Sequence, residues 1–426
     1  MKKISGSLFA AAALIALWAP SLARATAGFF QHGYGLKAKG MGGAGAAFPQ
    51  DALAAATNPA GMVWVGNRLD IGLDWFEADR GSRITGNTLG LSGDRDANGR
   101  KTFPVPELGF NRMLGENRSL GVAVFGNGGM TRYFDNPLGA LGGSSPAGME
   151  FVQGTVAPAF AAKLGASSSI GVALPLVYQE LAVRGLEHFD DPVFSAAAGY
   201  VTNRGRDGSL GVGVRAGWLS RISPEVTLGA AVQPRIRMAR FKSYKGLLAG
   251  EGNFDVPENY VLGIALKAGP ALTAVADIQR INFAGVRSLG NRADCFLALT
   301  CLLGAPDGPG SGWRNVTVVK IGFAYEASPG LTLRGGVAVL RQPIPAEQTL
   351  LNMFAPAVTV KHLTLGATWQ LAPHSELTVA YLHGFEATVQ GSRSIPPGFP
   401  PTGAGGGEAD LRMKQRALGI AFGWRM

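Results

Sequence analysis

The chain has 426 residues, of which only 16% are charged, 46% are hydrophobic and 62 are glycine. Its formal net charge is +10 and its mean hydropathy is +0.14. This excludes a disordered chain, which needs low hydrophobicity and high charge. Two cysteines are too few for a disulfide scaffold, and the glycines follow no Gly-X-Y period, so collagen is excluded too.

Residues 1–25 read as a secretory signal peptide. Lys2 and Lys3 precede an uncharged stretch from Ile4 to Ala23, and Ala23-Arg24-Ala25 fits the small-residue cleavage rule. A single transmembrane anchor is the competing reading; the short apolar part and the A-x-A site argue against it. Losing Lys2, Lys3 and Arg24 lowers the balance from +10 to +7. Beyond residue 25 no uncharged apolar run reaches the ~18 residues of a spanning helix. The mature chain is therefore either a soluble secreted protein or a membrane β-barrel, since lipid tolerates only helices and closed barrels.

Residues 26–62 are rich in Gly and Ala, contain Pro49 and Pro59, and alternate little. Ahead of a barrel, such a segment either trails in the periplasm or folds into the lumen as a plug. Residues 63–426 alternate. In Val212–Trp218, Val212, Val214, Ala216 and Trp218 form one face and Gly211, Gly213, Arg215 and Gly217 the other. In Val226–Met238, Ile236 and Met238 continue the apolar outer face, and Arg235 and Arg237 the inner one. The last segment sets Leu418, Ile420, Phe422 and Trp424 against Gly419, Ala421 and Gly423. A soluble sandwich also alternates, but its polar face is usually rich in Lys, Glu and Thr; small residues and isolated charges suit a crowded lumen.

Short turn signals, such as Gly165-Ala166-Ser167 and Ser328-Pro329-Gly330, alternate with long Gly/Pro/Ser-rich connections at 85–103, 130–149, 185–208, 242–255, 285–312, 342–359 and 391–408. Short turns on one rim and long loops on the other are the outer-membrane barrel layout. Seven long loops predict about 14 strands, from 64–80 to 409–426, with 209–222 and 226–241 each unbroken. The expected fold is all-β: a transmembrane antiparallel β-barrel over 63–426 with an N-terminal hatch over 26–62.

The run Gly40-Met41-Gly42-Gly43-Ala44-Gly45-Ala46-Ala47, then Asp51-Ala52, then Asn58-Pro59-Ala60-Gly61-Met62, resembles the hatch of the FadL/TodX family. Trp313-Arg314-Asn315, Leu333-Arg334-Gly335-Gly336-Val337, Gln342-Pro343-Ile344-Pro345 and His362-Leu363-Thr364-Leu365-Gly366 resemble its strand motifs. The chain departs from the family by ending in Trp424-Arg425-Met426 rather than in phenylalanine. The resemblance implies a monomeric outer-membrane transporter in a lipopolysaccharide-bearing membrane. Its ligands would be long-chain fatty acids or hydrocarbons, taken up passively without a cofactor. Capture would fall to extracellular loops, where Tyr133, Phe134, Leu138 and Leu141, and Leu350, Leu351, Met353 and Phe354, are apolar. Release would be lateral, through a kink in the third strand, where Gly126, Gly128 and Gly129 stand; glycine in a strand often marks such a bend.

Asn58, Pro59 and Ala60 are candidates to hold the hatch turn beside the ligand. Arg215, Arg235, Arg237, Lys320 and Arg334 are candidate lumenal cations for a carboxylate head group; salt bridges to acids such as Asp277 are the plainer alternative. Cys295 and Cys301 lie six apart in a loop exposed to an oxidising exterior, which favours a structural disulfide. Gly40-x-Gly42-x-x-Gly45 matches a dinucleotide fingerprint but lacks the preceding buried strand. The basic residues are too scattered for nucleic acid. A general porin and a lipid hydrolase using His383 remain as alternatives; no metal-ligand spacing joins the five histidines.

Overall fold

Strand β1 (Arg68–Thr85) pairs along its whole length with β14 (Glu408–Arg425), from Arg68 opposite Arg425 to Thr85 opposite Glu408. That single pairing closes the sheet end to end. In the computed structural model, which describes residues 27–401 and 403–426, the strands between them are β2 (Thr102–Met113), β3 (Arg118–Met130), β4 (Gly148–Leu164), β5 (Ser168–Ala173 and Leu176–Arg184) and β6 (Asp207–Val212 and Arg215–Arg221). There follow β7 (Val226–Gln233), β8 (Asn259–Lys267), β9 (Leu272–Ile281), β10 (Val316–Ser328), β11 (Leu331–Leu340), β12 (Lys361–Ala372) and β13 (Ser375–Val389). The result is a closed, 14-strand antiparallel barrel. A short strand, Gly93–Asp96, folds back onto β1. The expected signal peptide lies outside the described residues.

Alternation sets which face meets lipid. On β1, Ile71, Leu73 and Trp75 are exposed while Asp70, Asp74 and Phe76 are buried; on β14, Leu418, Ile420, Phe422 and Trp424 are exposed. Free surface this apolar is stable only against hydrocarbon. Short turns join β2 to β3, β4 to β5, β6 to β7, β8 to β9, β10 to β11 and β12 to β13, and long loops cover the opposite, extracellular rim.

Proline breaks the regularity twice. Strand β5 lapses at Pro175, which has no N–H for the ladder; its carbonyl accepts instead from Gly213 N at 3.0 Å, inside the matching break in β6. Strand β7 ends before Pro234, where the sequence predicts continuous pairing to 241. Pairing resumes only as isolated bridges, Ile236 with Val256 and Met238 with Gly211. Across this lapse the phase reverses: Ile236 and Met238 are buried, and Arg235 and Arg237 are exposed. The inward placement of these two arginines is thus corrected. Burying an aliphatic side chain gains about 1.5–3 kcal/mol, whereas two inward guanidiniums would each need a partner.

The N-terminal segment, from residue 27 to the start of β1, lies inside the barrel. It contains a helical turn at Leu36–Lys39, another at Ala54–Thr57 and a 3-10 helix at Pro59–Trp64. The barrel's inward glycines make room for it. A Cβ at Gly229 would stand 2.1 Å from the Ala46 carbonyl oxygen, and one at Gly336 2.3 Å from the Gly42 amide nitrogen. Within the segment Gly43 has φ +76°, and a side chain there would meet the His32 carbonyl at 2.0 Å.

Candidate functional site

Charge holds the segment to the wall near the short-turn rim. Lys39 Nζ is 3.0 Å from Asp74 and 3.2 Å from Glu107, while Lys37 pairs with Glu376. Arg68 joins Asp70 and Glu376, each at 2.6 Å. All these groups are buried, so removing one partner strands the other in low dielectric. Asp51 sits in the same cluster; burial, reinforced by the neighbouring Asp70 carboxylate, pushes it above the usual carboxylate range.

Three of the five sequence-predicted cations, Arg215, Lys320 and Arg334, serve the same attachment; Arg235 and Arg237 are exposed. Arg215 donates to the Thr57 carbonyl at 3.1 Å and to Gln233 at 2.8 Å. Lys320 reaches the Gly43 carbonyl at 3.4 Å. Arg334 donates to Gln50 at 3.0 Å and to Thr368 at 2.7 Å. Asp277 accepts from the Gly45 and Ala46 amides at 2.8 and 3.0 Å. Asn58 Nδ2 donates to the Ala46 and Trp218 carbonyls at 2.7 and 3.0 Å, and its Oδ1 caps the following helix at Ala60 N. Pro59 and Ala60 lie against Gly171 of β5.

Towards the extracellular rim the lumen changes character. A cavity of about 1250 Å³, counted out to its open side, is lined by Phe29, Phe76, Phe151, Phe254, Trp313 and Phe354 among other apolar residues. None of Asn58, Pro59, Ala60, Arg215, Arg235, Arg237, Lys320 and Arg334 lines it. Its one charged lining residue, among the described residues, is Arg80. The loop residues divide: Leu351 and Phe354 line the cavity, Tyr133, Leu138, Leu350 and Met353 are buried in loop packing, and Phe134 is 70% exposed.

The cavity abuts a break in the wall. Strand β3 pairs with β2 only from Met113–Ser119 to Leu108–Val124. Beyond that point β2 stays with β1, while β3 follows β4 as far as Met130. Residues 125–130 of β3 therefore lack a partner on the β2 side. The N-terminal segment supplies substitutes. Gly128 N donates to the Phe29 carbonyl at 2.9 Å. Gln31 donates to Asn127 Oδ1 from its amide and to the Gly126 carbonyl from its side chain, at 3.1 and 2.5 Å. Tyr34 OH donates to Asn127 Oδ1 at 3.0 Å. Gly128 and Gly129 line the cavity, and a Cβ at Gly129 would meet open space.

A sequence profile described as outer membrane protein transport protein (OMPP1/FadL/TodX) matches residues 18–424. The chain belongs to this family. Its place is the outer membrane and its work the transport of hydrophobic compounds, not catalysis. The fold agrees with three solved structures. The Pseudomonas putida toluene transporter TodX has 17% identity and a TM-score of 0.66. A Pseudomonas aeruginosa FadL homologue has 16% and 0.68. The Ralstonia pickettii toluene transporter TbuX has 18% and 0.62. Each comparison covers 93% of this chain and 99% of the other. No protein of curated function matches.

Within this FadL/TodX member, His383 is on the outer face of β13. Its Nδ1 lies 3.5 Å from Tyr381 OH and its ring meets Phe385 edge-on, which is no nucleophile–base pair. Cys295 and Cys301 are disulfide-bonded in the loop that also brings Ser288, Leu289 and Trp313 to the cavity. Sequence reasoning missed Arg80. The predicted strand 64–80, in the phase of Asp74 and Phe76, already places residue 80 inward.

Proposed function

We propose that the chain takes up long-chain fatty acids passively, as a single chain, by way of the apolar cavity and out sideways between β2 and β3. Exposed loop residues such as Phe134 make first contact. The ligand then partitions into the cavity, gaining about 0.8 kcal/mol per buried CH₂. The N-terminal segment acts as the hatch: its bonds to Gly126, Asn127 and Gly128 occupy the wall break and must yield for the ligand to leave. Gly126, Gly128 and Gly129 give the exit its width. The observation that carries this reading is the contiguity of cavity, hatch and unpaired β3 edge, with Phe29 touching all three. Aromatic hydrocarbons are the second reading, favoured by the toluene transporters among the structural neighbours.

The test is uptake of labelled oleate and labelled toluene by a transporter-deleted Gram-negative strain. It would carry the intact gene, Gly129→Phe, or a deletion of 26–62, with folding checked by heat-modifiable gel mobility. Gly129→Phe should abolish uptake while the barrel folds normally. Unchanged uptake through Gly129→Phe would exclude this exit, and toluene uptake alone would establish the second reading.

A further inference from the structure

Arg80 is anomalous. It is 2% exposed, inward-facing on β1, and lines a cavity otherwise made of apolar and a few neutral polar groups. A buried cation ordinarily has a carboxylate beside it, and none stands within 4 Å among the described residues. The nearby acids are committed elsewhere: Asp79 to Lys414 and Asn98, Asp96 to the Asn98 amide. The guanidinium makes one side-chain hydrogen bond, from Nη2 to the Arg100 carbonyl at 2.8 Å. Its Nε has no partner. A second guanidinium, that of Arg100, stands 5.8 Å from the Phe103 ring over which Arg80 itself lies at 6.0 Å. Arg80 is thus the one charged group at the cavity wall among the described residues, and no carboxylate pairs with it directly.

We propose that Arg80 is the residue that sets ligand class: it binds the anionic head of a single-chain amphiphile, a carboxylate, whose tail fills the aromatic part of the cavity. This deepens the transport reading and rests on it. Guanidinium N–H groups match a carboxylate geometrically, and in an apolar, water-poor cavity such a charged contact is stronger than in water. Polar satisfaction also gives the discrimination. A neutral ligand of the same length leaves the Arg80 charge uncompensated and gains less from it than a carboxylate does. Arg80 thus departs from Arg215, Lys320 and Arg334, whose hydrogen bonds go to the N-terminal segment.

The test compares laurate with 1-dodecanol, of equal chain length, and with toluene, by equilibrium binding to the purified barrel in detergent. Wild type should prefer laurate to dodecanol. Arg80→Met should lower laurate affinity by about tenfold to a hundredfold, the range of a hydrogen bond to a charged group. Dodecanol and toluene affinities should hold, and Arg80→Lys should recover part of the loss. Equal losses for laurate and dodecanol, or no loss for laurate, would overturn the assignment. Wild type binding dodecanol and toluene but not laurate would overturn it and leave the transport reading intact. Binding of none of the three would remove both. Should Arg80→Met not fold, the wild-type preference decides: equal affinity for laurate and dodecanol refutes the proposal.

Discussion

The two halves of the lumen are built on different principles. Near the short-turn rim the N-terminal segment meets the wall through buried ion pairs and backbone contacts over glycine: Lys37 and Lys39 on Glu376, Asp74 and Glu107, Ala46 over Gly229, Gly42 over Gly336. Near the long-loop rim Phe29 meets Phe151, Phe254 and Phe283 at ring distances of 5.3–5.9 Å, around open space. The lower half is satisfied only in one arrangement, because each charge and each glycine contact has a specific partner. The upper half is non-directional, and its packing adapts to whatever apolar body enters. Fastening and binding are therefore separated along one barrel axis.

The comparison breaks most readily at Glu376. Glu376→Ala leaves Lys37 and Arg68 buried without their shared acid and should cost about 3–5 kcal/mol. The effect would be read as a lower guanidinium unfolding midpoint and earlier proteolysis of residues 27–67. If Phe151→Ala released the segment and Glu376→Ala did not, the division of labour would be reversed. Gly336→Val tests the backbone contact: the new side chain displaces Gly42 and should cost about 1–3 kcal/mol, with cavity ligand affinity changing less than segment protection from proteolysis. Asn58→Ala removes two carbonyl partners and a helix cap, about 1–2 kcal/mol in the same proteolysis assay.

The smallest effect sharpens the comparison through pH. Asp51 has a raised folded-state pKa, so the stability it contributes is present at low pH and lost as pH rises through that value. Relative to Asp51→Asn, wild-type segment attachment should weaken as pH goes from about 5 to about 8. Amide exchange of residues 36–57 at several pH values measures this; a constant difference between the two proteins would remove Asp51 from the account.

Strand faces were legible because the lumen and the bilayer impose opposite demands with a period of two. Trp424 and Phe422 against Gly423 and Ala421 needs no tertiary information. The turns were legible from Gly and Pro chemistry, and the fastening role of 26–62 was half legible in its glycines. The cations were not. Arg215, Lys320 and Arg334 face inward as alternation requires, yet alternation says nothing of whether a ligand or the chain itself takes their hydrogen bonds.

The sequence by itself determined the all-β class, the strand number, the outward apolar band and the family, since each rests on local periodicity or on contiguous motifs. Tertiary structure alone decided three things. The reversal at Pro234 depends on whether Ile236 finds space over Gly213 on a strand from elsewhere in the chain. The parting of β3 from β2 depends on the Phe29–Tyr34 stretch taking over hydrogen bonds that a neighbouring strand would make. And the charge at the cavity wall depends on Arg80 lining it with no carboxylate within 4 Å among the described residues. Each depends on how residues distant in sequence are brought together or kept apart, where none carries a local signal of the others.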